Sequence, residues 1–254
     1  IGEFQYASIK GRGTTKGKEI ISRWVRNRDM RYFVKLDVRK CFESIDHDLL
    51  MRFLEKHIKN EKLIWLIKML ISSFERGLSI GSYLSQYLCN LYMSILYHYI
   101  MEEVYKTRRR KRVNLIKHCL IYMDDILLVG SQRRDMEMAV KRVVKKAEDM
   151  GLVIKPNYQV KPIDGNCIDM MGFKIYRTHT EIRGRIFLRV RRSFRIARKH
   201  VTIRAAKKCI SYYGYLKHTN SKRIIRRWKV KSTIKKCKGV IRNESKIFRT
   251  AITR

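Results

Sequence analysis

Two neighbouring carboxylates, Asp124 and Asp125, interrupt an otherwise apolar stretch, CLIYMDDILLVG from Cys119 to Gly130. The apolar runs on either side predict two buried strands, which leaves Tyr122-Met123-Asp124-Asp125 at or beside a tight turn. Asp is a good turn residue on its own account, because its side chain hydrogen-bonds nearby backbone. Adjacent negative charges also repel, and a folded chain holds them beside apolar strands most readily where a cation is bound. A further carboxylate comes from RYFVKLDVRKCFESID, Arg31 to Asp46, which reads as a strand that buries Tyr32, Val34 and Leu36 and then presents Asp37, with Phe42 five positions on. Asp37, Asp124 and Asp125 on neighbouring strands suit two Mg²⁺ ions roughly 3.5–4 Å apart, the arrangement that clamps the attacking and leaving oxygens in phosphoryl transfer. The chemistry expected is that of a polymerase.

The elements that must position these groups follow from periodicity. Thr14 to Arg28 reads as a basic helix, followed by the strand Arg31 to Asp37. His47 to Ile58 and Leu63 to Phe74 repeat apolar residues at helical spacing, with Asp46 placed as an N-cap, and Ser82 to Tyr105 predicts one long, mostly apolar helix. Lys117 to Gly130 is the hairpin, Gln132 to Met150 an amphipathic helix, and Leu152 to Val160 a strand interrupted by Pro156. This is the βαββαβ order of a ferredoxin-like sheet. A hairpin is expected over Met171 to Val190, then a helical segment from Ser193 to Arg254 broken near Gly214 and Gly239.

The charge balance points to the same substrate class. The 254 residues carry a formal net charge of +37, and Lys and Arg contacts to phosphates supply most sequence-independent affinity for nucleic acid. From Arg177 onward the only acidic residues are Glu181 and Glu244. No apolar run approaches the roughly 18 to 20 residues of a spanning helix and no basic-then-apolar leader precedes the body, so neither membrane insertion nor secretion is expected. Cys41, Cys89, Cys119, Cys167, Cys209 and Cys237 form no C-x-x-C pair and read as reduced core residues of a cytoplasmic protein. The histidines show no ligand spacing, which disfavours zinc.

These residues resemble the motifs of reverse transcriptases. YMDD is similar to the family's catalytic turn, LDVRKCF to its first metal-binding strand, and IGSYLSQYLCNLYM, Ile80 to Met93, to its template-and-nucleotide helix. GLVIKPNYQV, Gly151 to Val160, resembles the next palm motif and MMGFKIY, Met170 to Tyr176, the primer grip. The motifs stand in the family's order along nearly the whole chain. The resemblance implies an α+β right-hand polymerase with a ferredoxin-like palm, truncated fingers and a helical basic thumb. Residues 1–30 would be a remnant of the fingers, 31–176 the palm and 177–254 the thumb. The chain opens at Ile1, past the family's first finger motifs, so the basic fingertip residues that hold the triphosphate are expected to lie upstream.

Where most of the family reads Gln-Gly before the helix and Ser-Pro at its start, this chain has Ile80-Gly81 and Ser85-Gln86. That variant resembles the bacterial and phage enzymes of diversity-generating retroelements, which copy a template RNA with errors at adenines. ASIKGRGTTKG, Ala7 to Gly17, and SYYGYLKHTNS, Ser211 to Ser221, resemble segments of the same subgroup. Ile in place of an amide removes a donor and an acceptor from the wall beside the nascent pair, and a site that makes fewer hydrogen bonds rejects wrong partners less well. Ordinary packing beside a loop is the competing reading of Ile80.

The resemblance also implies roles. Asp37 and Asp124 would bridge both Mg²⁺ ions, with Mn²⁺ able to substitute and Asp125 a weaker ligand. The Lys40 and Cys41 amides would lie near the triphosphate, and Phe42 would be the steric gate that selects deoxynucleotides. Ile80, Gly81, Ser85 and Gln86 would contact the nucleotide and nascent pair, and Tyr122, Met123, Met171 and Gly172 the primer and template. Lys155 is a candidate for the proton donor to pyrophosphate: many relatives place a Lys where this chain has Tyr158 and Gln159, and Lys155 reads first as a surface residue. Partners implied are template RNA, primer or cDNA, deoxynucleoside triphosphates and a small basic accessory protein. Two other functions stay open: a reverse transcriptase of another bacterial lineage, of group II intron or phage-defence type, and a non-catalytic RNA-binding module with the same fold.

Overall fold

The computed structural model describes residues 1–252, with side chains through residue 244. It divides into two compact units, Ile1–Met171 and Gly172–Arg254. Thr253 and Arg254, the end of the expected thumb, lie outside the described residues.

The first unit begins with α1 (Thr14–Arg26), which buries Gly17, Ile21, Trp24 and Val25 on one face. β1 (Tyr32–Arg39) follows. α2 (His47–His57) starts where Asp46 accepts a hydrogen bond from Leu49 N at 2.7 Å, and α3 (Glu61–Ser72) where Asn60 accepts from Leu63 N at 3.0 Å. Each cap satisfies a backbone donor that the helix leaves unpaired, worth about 1 kcal/mol. α4 (Tyr83–His98) passes into a π-helical turn, Tyr99–Glu103, so the long helix expected to Tyr105 ends earlier. Its place is taken by an unexpected hairpin, β2 (Tyr105–Arg108) and β3 (Lys111–Asn114). β4 (His118–Tyr122), β5 (Asp125–Gly130), α5 (Arg133–Asp149), β6 (Val153–Ile154), β7 (Lys161–Pro162) and β8 (Ile168–Met170) complete the unit.

The main sheet runs β4-β5-β1-β6, with β7 also on β1, and its pairs are antiparallel. This is the strand order of the ferredoxin-like βαββαβ unit. The strand expected from Leu152 to Val160 survives only as β6. Pro156 has no N–H to give to a ladder, and the chain returns to the same edge of β1 at Lys161 and Pro162. On one face of the sheet Val34, Leu36, Val38, Ile126, Leu128 and Ile121 pack into a core with residues of α2, α4 and α5. On the other face Phe33, Leu127 and Val129 are buried, and Trp24 of α1 stacks on His118 of β4 with ring centroids 4.6 Å apart. That cover does not extend to the polar end of this face, where Lys35, Asp37 and Asp125 are only partly buried.

The second unit opens with the hairpin β9 (Phe173–Ile175) and β10 (Thr180–Ile182), followed by α6 (Gly184–Lys199), α7 (Ile203–Lys217), α8 (Lys222–Arg227) and α9 (Val230–Ile252). Val190, Phe194, Ala197, Ala206, Cys209, Leu216, Val230, Ile234 and Cys237 form its core. The hairpin expected to reach Val190 stops at Ile182, because the spacing of Val190, Phe194 and Ala197 already belongs to a helix face. Gly214 and Gly239 do not break helices; they lie inside α7 and α9. An isolated glycine costs a helix about 1 kcal/mol relative to alanine, which packing of the opposite face outweighs. Among the described residues no helix is long and apolar enough to cross a membrane.

Candidate active site

Alternation along β1 puts Lys35 and Asp37 on the same face as Phe33, away from the core that holds Val34 and Leu36. The antiparallel register sets Asp37 directly opposite Asp125 and Lys35 opposite Leu127. Like charges directly opposite across a pair of strands are destabilising. Met123 and Asp124 make the two-residue turn between β4 and β5, with Met123 at φ 55, a position two-residue hairpins usually give to glycine. The turn is tied down by a hydrogen bond from Val38 N to Asp124 O at 2.9 Å, so Asp124 stands exposed beside the Asp37–Asp125 pair.

Two lysines answer this negative charge. Lys35 Nζ lies 2.7 Å from Asp125 Oδ1. Lys155 Nζ lies 2.6 Å from Asp37 Oδ1, and its own backbone N–H donates to Asp37 O at 2.9 Å. β6 ends one residue earlier and pairs with Val38 and Arg39, which is why Lys155 arrives at Asp37. Burial pushes the Asp125 carboxyl above its ordinary value, the Lys35 ammonium opposes that shift, and Asp124 and Asp37 add to it. The Lys155 ammonium is held above its ordinary value by its hydrogen bond to Asp37 and by the three carboxylates together. Among the described residues no three Asp, Glu, His or Cys side chains converge as a ready-formed ion cage. Asp37 and Asp125 each point at a lysine instead, as repelling carboxylates do when an ammonium is within reach.

The other expected site residues fall into three groups. Lys40 leaves β1 at φ 48 and pairs with Glu43 at 2.7 Å, while Cys41 is buried with its Sγ 3.8 Å from Cys89 Sγ of α4. That contact, its burial and the charge of Asp124 push the Cys41 thiol far up, which makes it a packing residue near the turn and not a nucleophile. Phe42 packs partly buried against the core, and its carbonyl accepts from Leu78 N at 2.8 Å. At the start of α4, Ser85 is buried and Gln86 accepts a hydrogen bond from Ser8 Oγ at 2.6 Å. Ile80 is 76% exposed, which rules out core packing for it, and Gly81 at φ 100 has open space around its Cα. Tyr122 faces Asp125 across the hairpin. Met171 is buried at φ 54 and Gly172 follows at φ 85, with the boundary between the two units falling between them.

The sequence of residues 1–175 matches the family described as Reverse transcriptase (RNA-dependent DNA polymerase). The chain belongs to the reverse transcriptase family. Over 84 residues, 29% of this chain and 10% of the other, it is 27% identical to the COX1/OXI3 intron 1 protein of Saccharomyces cerevisiae. Among solved structures, this reverse transcriptase chain superimposes on apo telomerase from Candida tropicalis with a TM-score of 0.56 at 12% identity, covering 96% of this chain and 47% of that one. Telomerase from Candida albicans, in complex with a TWJ fragment of telomeric RNA, gives 0.55 at 14% identity over 70% of this chain and 36% of that one. At such identities the likeness is one of fold: a right-hand polymerase of mixed helices and sheets. The chain spans less than half the length of each of these relatives.

Lys35 is the site residue that sequence reasoning missed. Its signal was available, since residues two apart on a strand share a face and Asp37 marks the polar one. In the second unit the basic residues likewise gather with structure around them. Arg189, Arg192, Arg204 and Lys208 line a cavity of about 550 Å³ with Tyr212, and Arg191, Arg195, Arg198 and Arg227 another of about 500 Å³ with Phe187 and Trp228.

Proposed function

We propose that this reverse transcriptase chain catalyses RNA-templated DNA synthesis by nucleotidyl transfer at the β4–β5 turn, and that it is the error-prone enzyme of a diversity-generating retroelement. The observation that carries the catalytic reading is the register that sets Asp37 against Asp125 with Asp124 exposed in the adjoining turn. An all-carboxylate donor set suits a hard divalent cation, Mg²⁺ or Mn²⁺. Asp37 and Asp124 would hold two such ions and Asp125 assist, and the ions when bound activate the primer hydroxyl and neutralise the leaving pyrophosphate. Lys35 and Lys155 stand at those carboxylates as internal counter-ions, which offsets the repulsion among them. Lys155, charged and half exposed, is also the group on hand to give a proton to pyrophosphate. Phe42 would bear on the sugar, Ile80, Gly81, Ser85 and Gln86 on the nascent pair, and Met171 and Gly172 on the primer. The first unit serves as palm with a remnant of fingers, and the second, with its arginine-lined cavities, as the thumb that holds the duplex.

The subgroup reading rests on Ile80 and on Ser85-Gln86, and the exposure of Ile80 supports it, since that side chain is free to meet a substrate. A second reading, an intron-encoded enzyme copying with ordinary fidelity, is favoured by the stretch shared with the yeast intron protein. The test is Mg²⁺-dependent primer extension on a mixed-sequence RNA, with Asp124→Asn as control and the product sequenced. Extension that drops about 10³-fold or more in the control and misincorporates mainly opposite adenine supports the proposal. Accurate extension selects the intron type, and RNA binding with no extension in the presence of metal, by a chain that includes the fingertip motifs, sinks the catalytic reading.

A further inference from the structure

The β2–β3 hairpin pairs with no other strand among the described residues. Lys106, Arg108, Arg109, Arg110, Lys111 and Arg112 fill six of its ten positions, and none is acidic. Local physics disfavours a hairpin of this composition. Arg109 and Arg110 occupy the turn at φ 49 and 61, left-handed positions that two-residue hairpins give to Asn-Gly. Arg108 is directly opposite Lys111, a like-charge pair.

The hairpin is nonetheless built, because its root is anchored. Lys106 Nζ sits 2.5 Å from Asp135 Oδ1, Arg142 Nη1 donates to Tyr105 O at 2.7 Å, and Asn114 Nδ2 donates to Met101 O at 3.3 Å. The Arg112 guanidinium lies 3.8 Å from the Tyr105 ring centroid. Beyond that root Arg108, Arg109, Arg110 and Lys111 are exposed and have no acidic partner among the described residues. A root-anchored ribbon that concentrates cations at its tip, against both turn preference and charge repulsion, is matched by a polyanion. Guanidinium groups favour phosphate in particular, through paired N–H···O contacts.

We propose that the β2–β3 hairpin is an arm that grips the phosphate backbone of a double-stranded RNA segment remote from the reacting ends. Remoteness follows from topology. The arm joins β4 at His118 and the carboxylate turn lies at the other end of that strand, about 15 Å away at roughly 3.3 Å per residue. A-form RNA has a major groove too deep and narrow for side chains to read, so the arginines contact phosphates at its rim and the grip is independent of sequence. The proposal goes beyond the catalytic reading and shares with it only the choice of RNA.

The experiment measures affinity for an RNA stem-loop of about two helical turns over a salt series, using the whole chain. The arm variant is Arg108→Thr/Arg109→Asn/Arg110→Gly/Lys111→Thr, which removes four charges and installs the preferred turn pair. Expected is a loss of affinity of about 10- to 100-fold and a shallower dependence of log K on log salt, by about 2 to 4, with extension of a short primer–template within two-fold of the parent. Arg109→Asn/Arg110→Gly alone should give about half that change in slope and an unchanged or higher Tm, which guards against misfolding of the larger variant. Unchanged affinity and slope in both variants overturn the proposal. So does a variant that keeps RNA binding but loses binding to polyglutamate, which would assign the arm to an acidic protein.

Discussion

In the first unit the carboxylate turn and the root of the β2–β3 arm pair their charges one to one: Lys35 with Asp125, Lys155 with Asp37, Lys106 with Asp135. In the second, Glu181 lies 3.4 Å from His179 and Glu244 3.5 Å from Lys207, which leaves Arg189, Arg191, Arg192, Arg195 and Arg198 of α6 with no acidic partner among the described residues. Paired charges at defined distances give a site whose function depends on single atoms. Unpaired charges of one sign give a surface whose function is a sum over many weak, salt-screened contacts. Substitutions should therefore act steeply and on chemistry at the paired carboxylates of the first unit, gradually and on affinity in the second.

The sharpest way to break this contrast is at Lys155. Lys155→Met should slow extension by roughly 10²-fold, the low end for a lost proton donor, with RNA affinity within two-fold. It should also lower the Mg²⁺ concentration for half-maximal rate, since a competing cation is gone from Asp37. A metal titration of single-turnover rates reads both, and an unchanged rate would return Lys155 to the surface role its sequence position first suggests. In the second unit, Arg195→Ala/Arg198→Ala should weaken RNA binding about 10-fold at 0.1 M salt and flatten the salt slope by about 2, while the rate at saturating template stays the same. A fall in that saturated rate would mean that the second unit positions the reacting ends and does not merely hold the duplex.

Smaller effects test the finer points. Ile80→Gln restores an amide at an exposed position, so errors opposite adenine should drop several-fold by sequencing of products, with stability unaffected. An unchanged adenine error rate would remove Ile80 from the explanation. The smallest effect concerns stability. The folded Asp125 carboxyl stands above its ordinary value, so its share of stability is present below about pH 4 and is lost as pH rises through that raised value. Asp125→Asn mimics the protonated form and should raise Tm at pH 7 by on the order of 1–2 °C, even as extension falls. A lower Tm would mean that the ion pair with Lys35 stabilises more than burial of the carboxylate costs.

Much of the main sheet was legible because its strands are apolar runs that end on charge: Val34 and Leu36 lead to Asp37, and Ile121 and Ile126 bracket the Tyr-Met-Asp-Asp turn. Periodicity also located α2, α3 and α5, within a residue or two at each end, and Asp46 announced the start of α2. The β2–β3 arm was not legible. TRRRKR shows no alternation and lacks an Asn-Gly turn, and what makes it a hairpin is the anchoring of its root by Asp135 and Arg142 from elsewhere in the chain and by the Met101 carbonyl just before it. Gly214 and Gly239 misled for a related reason, since a local breaker yields where the rest of the helix is packed.

What residue types and spacing determined by themselves is the chemistry available: carboxylates at the ends of apolar strands, a large excess of positive charge, and the strand–helix order that builds the sheet. Those are local properties, written in nearest neighbours and in periods of two and 3.6. The tertiary structure alone decided which charges meet. Asp37 faces Asp125 only through the β1–β5 register, Lys155 reaches Asp37 only because β6 closes on the same strand, and Lys35 becomes part of the site only when Asp125 is laid beside it. Contacts between residues some ninety to a hundred and twenty positions apart carry no periodic signature, because they arise from packing of whole elements and not from the pattern within any one of them.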